Sequence, residues 1–79
     1  MPAFVYLLRC ADGTLYCGWS TDPDRRLRQH LAGSASRYTR VRRPVELVWR
    51  AECADRSEAM REEARIKRLT RAEKRALIG

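Results

Sequence analysis

Seventy-nine residues with 17 Lys and Arg against 10 Asp and Glu, and a formal net charge of +7, describe one small basic domain. A chain of this length buries only about 60% of its unfolded surface, so a second core is excluded. No apolar stretch approaches the roughly 20 residues of a membrane span, and Arg9 interrupts the one early apolar run, which argues against a signal peptide.

All the basic residues except Lys67 and Lys74 are arginines. A guanidinium makes planar, bidentate contacts with phosphate, so the expected partner is a nucleic acid, DNA first with RNA open. A basic surface that serves only solubility is the plainer alternative. Cys10, Cys17 and Cys53 are an odd count with no CxxC spacing and no nearby histidine set, which argues against zinc and against a disulfide framework. Reduced, semi-buried thiols in a cytoplasmic protein are expected.

In chain order, Phe4–Cys10 is apolar, rich in β-formers and too short for a helix, so it reads as a strand. Asp12-Gly13 is a turn signal, and Thr14–Trp19 reads as the returning strand. A three-residue loop, Ala11-Asp12-Gly13 with Gly13 left-handed, puts Tyr6 and Tyr16 on one face and Gly18 opposite Tyr6; a two-residue loop puts the tyrosines on opposite faces. In the first register Phe4, Tyr6, Leu8 and Tyr16 line one face and Val5, Leu7, Leu15 and Trp19 the other, as in a sheet covered on both sides.

Asp22-Pro23 is a helix start, and the helix is expected to end near Ala32 at Gly33. Leu27 and Leu31 are its predicted anchors, with Arg26 and His30 at one edge of the apolar stripe and Arg28 at the other. Gly33–Arg43 carries four arginines, no acid and no periodicity, so it is expected to be a basic loop around Tyr38. A solvated linker is one reading; a loop contacting phosphate and base is the other. Val45–Ala51 follows as a third strand with Val45, Leu47, Trp49 and Ala51 on one face and Glu46 and Arg50 on the other. Ser57–Leu69 reads as a helix capped by Asp55 or Ser57, and Thr70 starts a last helix, Arg71–Ile78, anchored by Leu77 and Ile78.

The Ser57–Leu69 helix holds an anomaly. At about 100° per residue, Ala59, Met60 and Ile66 form its apolar stripe and Glu63 falls among them. A carboxylate on a buried face is costly unless paired, protonated or bound to metal. An i,i+4 pair with Lys67 is the plainer explanation. Tyr6 and Tyr16 likewise have a plainer reading as core aromatics with bonded hydroxyls.

The ordered set Phe4-Val5-Tyr6, Tyr16-Cys17-Gly18, Arg26, His30 and Glu63 resembles the GIY-YIG endonuclease superfamily. It is most similar to its small stand-alone bacterial branch, and similar also to the nuclease domains of the repair excinuclease and of homing endonucleases. The resemblance spans essentially the whole chain, including Leu15–Gly18, Arg25–His30 and Lys67–Arg71. It implies an α/β (α+β) fold, a three-stranded mostly antiparallel sheet flanked by helices in the order ββαβαα, in one domain covering 1–79. It implies a metal-dependent endonuclease that hydrolyses DNA phosphodiester bonds, structure-specific in the manner of repair and recombination enzymes; a non-catalytic nucleic-acid-binding module of the same fold is the alternative.

In the roles the resemblance implies, Glu63 holds one divalent metal (magnesium, or another such as manganese). Arg26 contacts the scissile phosphate, and Tyr6 and Tyr16 serve as base or orient the attacking water. His30 is a second candidate for proton transfer or phosphate contact. A tyrosine of ordinary pKa near ~10 acts as a base only where positive charge favours phenolate, a task expected of Arg26 and the metal. Arg25, Arg28, Arg37, Tyr38, Arg40, Arg42, Arg43, Lys67 and Arg68 are the candidate nucleic-acid contacts. The pattern departs from the family in lacking the first-motif glycine, where Val5 and Phe4 precede Tyr6, and in placing Cys17 where isoleucine is usual. The extra DNA-binding domains of larger relatives have no counterpart, so targeting is expected from the basic loop, from Arg65, Arg68 and Arg71, or from self-association or a protein partner.

Overall fold

The apolar runs either side of Asp12-Gly13 pair as a hairpin in a computed structural model that describes residues 1–79: β1 (Ala3–Cys10) and β2 (Leu15–Ser20) are antiparallel. The loop is the three-residue one. Gly13 has φ +84°, and the register sets Tyr6 opposite Gly18 and Leu8 opposite Tyr16. Asp12 Oδ1 accepts from the Thr14 amide and hydroxyl at 3.1 and 2.6 Å, which closes the turn. The third strand, β3 (Val45–Cys53), pairs antiparallel with the free side of β1, so the sheet order is β2-β1-β3 with β1 central.

Both faces are covered. On one, Val5, Leu7 and Cys17 pack against Ala59 and Ile66 of α3 (Arg56–Lys67) and against Leu77 and Ile78 of α4 (Arg71–Ile78). On the other, Tyr6, Leu8 and Val45 pack with Leu27 of α1 (Pro23–Ala32). Leu7 and Leu8 are both fully buried, each contributing about 1.5–3 kcal/mol, so the central strand stabilises both layers. No helix is long and apolar enough to cross a membrane. The three cysteines are free and buried.

Four sequence expectations are corrected. The third strand does not keep one apolar face: Leu8 pairs with Leu47 but Leu7 with Trp49, leaving Val48 as an extra residue. That bulge flips the phase, so Val45 and Leu47 face α1 while Trp49 and Ala51 face α3. Arg50 consequently lies on the α1 side, 3.8 Å from Asp24, and Glu46 on the α3 side. Leu31 is not an anchor of α1, since it is 44% exposed; His30, one residue earlier, is fully buried instead, its ring nitrogens both hydrogen-bonded. Met60, about 100° around the helix from Ala59, is 53% exposed, and the buried stripe of α3 runs through Ala59 and Ile66 with Glu62 and Glu63 on its flanks. Finally, the basic stretch Gly33–Arg43 contains a turn of helix, α2 (Arg37–Arg40), capped by the Ser36 hydroxyl, which accepts from the Tyr38 amide at 3.2 Å. One turn is too short to give a period, so Ser36 was its only sequence signal.

Candidate active site

The hairpin register and α1 together place a chain of hydrogen bonds under the sheet. Tyr6 points toward α1 and reaches across β2 over Gly18, where a Cβ would stand 2.5 Å from its hydroxyl oxygen. Glycine there is a requirement of space. The Tyr6 hydroxyl lies 3.0 Å from His30 Nε2, and His30 Nδ1 lies 2.7 Å from Thr39 Oγ1. Thr39, fully buried within the single turn of α2, donates its own proton to the Ser36 carbonyl at 3.3 Å. Its oxygen therefore accepts from Nδ1–H, which leaves Nε2 as the acceptor of the Tyr6 proton. Sequence reasoning found Tyr6 and His30 but missed Thr39; its signal was confined to its place behind the Ser36 cap.

Burial holds this chain neutral. Desolvation, aided by the Arg26 charge, pushes the His30 imidazolium down to about 4. Desolvation pushes the Tyr6 phenol up to about 12, against a weaker pull from the Arg26 guanidinium. Arg26 alone does not make the phenolate accessible: burial dominates, and Tyr6 is a phenol donating to a neutral imidazole.

Tyr16 belongs to the same cluster. Its ring sits 5.2 Å from His30 edge-on, and Tyr38 stacks on it with centroids 5.7 Å apart. The Arg42 guanidinium lies 3.8 Å over Tyr38 while its Nε donates to Asp12 at 3.0 Å. Tyr38 is therefore in contact with both Tyr16 and Arg42 while remaining 37% exposed. Arg43 is also engaged, donating to the carbonyls of Arg40 and Leu31. Arg25, Arg28, Arg37, Arg40 and Arg68 carry no ion pair, and all five are exposed residues.

Arg26 is half-buried and held, its guanidinium donating to Gln29 Oε1 at 3.0 Å and to the Ala35 carbonyl at 3.5 Å. With Arg25 it lines an open cleft of about 450 Å³ between the end of β2 and the starts of α1 and α3, and Arg56 closes the far wall beside Trp19. Three guanidinium groups line it together with the Asp22 carboxylate, and none of the three forms a salt bridge. The tyrosines and Glu63 do not line this cleft. Arg56 and Trp19 were not singled out by the sequence, because only the fold brings the start of α3 to the end of β2.

Glu63 comes from the other layer. Its backbone carbonyl lies 4.0 Å from Cys17 Sγ, so it sits on the α3 side of β2, alongside Cys17. Its side chain is 22% exposed, and Oε1 is 3.5 Å from Lys67 Nζ, the i,i+4 pair that the sequence offered as the plainer reading. The Glu63 and Arg26 charges both bear on the Tyr6 phenol, Glu63 disfavouring the phenolate and Arg26 favouring it. No three His, Cys, Asp or Glu side chains cluster into a metal cage. A single carboxylate of this kind fits only a hard cation that keeps water and takes substrate phosphate as further ligands.

The GIY-YIG catalytic domain family matches the chain over residues 2–76. Among curated relatives, a UPF0213 protein of Desulfotalea psychrophila is 51% identical over 95% of this chain and 69% of its own length. A UPF0213 protein of Halobacterium salinarum is 51% identical over 94% and 96% respectively. The solution NMR structure of a UPF0213 protein from Bacillus halodurans superposes with a TM-score of 0.63 at 42% identity, covering 99% of this chain and 83% of that one. The family match over nearly the whole chain, with the same α+β architecture in a solved relative, establishes that the protein belongs to the GIY-YIG catalytic domain family.

Proposed function

We propose that the protein is a metal-dependent endonuclease that hydrolyses DNA phosphodiester bonds. The observation that carries this reading is the neutral Tyr6–His30–Thr39 chain set beside Arg26 at a cleft of unpaired guanidinium groups. Phosphodiester hydrolysis needs cationic donors for the phosphoryl oxygens and a route for the proton of the attacking water. Arg26 clamps the phosphate, aided by Arg25. Tyr6 orients the water and passes its hydroxyl proton to His30 Nε2 as it takes one from the water, so that no free phenolate is required. Thr39 fixes the tautomer that makes this possible. Tyr16 backs the imidazole and limits its movement. Glu63 would hold one magnesium or manganese ion, which when bound supplies charge neutralisation at the phosphate and a more acidic water. Lys67 then has the choice of Glu63 or a phosphate oxygen as its partner.

The Glu63–Lys67 pair is the specific observation in favour of a second reading, a nucleic-acid-binding module without turnover. A nicking panel over branched, single-stranded and duplex DNA with magnesium, run beside Glu63→Gln, separates them. Magnesium-dependent product that Glu63→Gln abolishes, with DNA affinity retained, supports the nuclease. No product at high protein concentration, or equal product from the variant, overturns it. Repair, recombination or defence as the setting, a cytoplasmic location and a targeting partner belong to the same proposal.

A further inference from the structure

A second basic region lies at the opposite end of β2 from the Arg25–Arg26–Arg56 cleft. Two depressions of about 320 and 180 Å³ flank Leu15, and their rims carry Arg9, Arg71, Lys74 and Arg75. On α4, Arg71, Lys74 and Arg75 are spaced i, i+3, i+4, so three like charges share one helix face, an arrangement that costs stability when left unbalanced. The balance is poor. Arg9 has only a 4.0 Å approach to Glu46, Arg71 donates to the neutral Gly13 carbonyl at 2.9 Å, and Lys74 and Arg75 have no acidic partner.

The two basic regions stand at the two ends of one strand. β2 is an edge strand, and from Leu15 to Trp19 it advances about 13 Å. Lys67 stands toward the middle of that edge: its ammonium is 3.5 Å from the Glu63 carboxylate, and the Glu63 backbone carbonyl is 4.0 Å from Cys17 Sγ, midway along the strand. We propose that the Arg9–Arg71–Lys74–Arg75 groove binds the sugar-phosphate backbone of the same nucleic-acid strand that enters the cleft, so that the strand runs along the β2 edge and is held on both sides of the reaction centre. The span corresponds to about four nucleotides of a stacked strand at ~3.4 Å each. The groove sets a minimum substrate length and a direction of travel, and it rests on the nuclease reading only for what happens between the two sites.

The test is binding without metal, in EDTA, so that cleavage does not enter. The probes are labelled oligothymidines, a trinucleotide and one of about 12 nucleotides, titrated over a range of salt. Lys74→Glu/Arg75→Glu is compared with wild type and with Arg61→Glu, a charge reversal at an exposed α3 residue that lines neither the cleft nor the two depressions. Expected are at least a tenfold loss of affinity for the long probe and a salt slope shallower by about 1.4, two phosphates' worth at ~0.7 each, with at most about a twofold loss for the trinucleotide, which still has the cleft but is too short to bridge both sites. Lys74→Gln/Arg75→Gln gives the same pattern at smaller size if the charge reversals unfold the chain. An unchanged slope, a loss matched by Arg61→Glu, or an equal loss on the trinucleotide overturns the groove. A protein that still nicks DNA with an unchanged slope refutes the groove alone; one that binds as expected but never nicks refutes the nuclease alone.

Discussion

His30 is the chain's only histidine, which makes one measurement unusually direct. The imidazole is fully buried between Tyr6 and Thr39, and its pKa falls from 6.5 to about 4. A depressed folded pKa means that the unfolded chain takes up a proton first as pH drops. Stability present above pH 6.5 is therefore lost progressively down to about pH 4, at about 1.4 kcal/mol per pH decade. The whole window is worth about 3 kcal/mol. Asp12, Glu62 and Glu73, whose carboxyls their hydrogen-bond partners hold low, add their own losses at the acid end. Between pH 6.5 and 5, however, the histidine acts nearly alone and removes about 1.6 kcal/mol, roughly 6–13 °C in Tm for a domain of this size. The assay is an NMR titration of the single imidazole paired with thermal melts at the two pH values. An imidazole that titrates near 6.5 in the folded protein would refute the reasoning, as would a His30→Gln variant that keeps the wild-type slope between pH 5 and 6.5.

Thr39→Val removes the oxygen that receives His30 Nδ1–H and leaves a buried donor unpaired, so it should cost about 1–3 kcal/mol in chemical denaturation, with Thr39→Ser close to wild type. Gly18→Ala places a methyl 2.5 Å from the Tyr6 hydroxyl, and a loss of about 1–3 kcal/mol together with a shifted Tyr6 ring resonance is expected. Burial pushes the Cys17 thiol up to about 11, so it should stay unreactive toward a thiol reagent at neutral pH until the protein unfolds. Labelling of Cys17 as fast as a free thiol would show the α3 face of β2 to be open.

The hairpin and the capped helices were legible because their signals are local. Asp12-Gly13 marks the turn and leaves two loop lengths open; the three-residue loop found in the structure sets the register, and that register puts Gly18 under Tyr6. Thr70 and Glu73 form a capping box that fixes the start of α4 where the sequence placed it. What stayed hidden depends on two segments meeting. The bulge at Val48 leaves no mark in an apolar run, since either phase offers hydrophobic residues to a covered sheet. The buried rank of His30 over Leu31 follows from partners 24 and 9 residues away, Tyr6 and Thr39. Hydropathy ranks leucine inside and histidine outside, and only satisfied ring nitrogens reverse that order.

The same long-range partners bear on how the proposed chemistry is arranged. Arginines near a tyrosine suggest a phenolate, but desolvation outweighs them at Tyr6. A buried phenol that already donates to a neutral imidazole needs no resting charge, because each proton it accepts can be matched by one it releases to Nε2. The cost of burying the pair then becomes useful, since an imidazole that resists protonation at rest returns its proton readily. Thr39 is what ties this to the basic stretch: the one helical turn of α2, whose rim carries Tyr38 and the arginines, is also the turn that fixes the His30 tautomer. A nucleic acid that drew on those arginines would thereby act on the segment holding the proton chain in register.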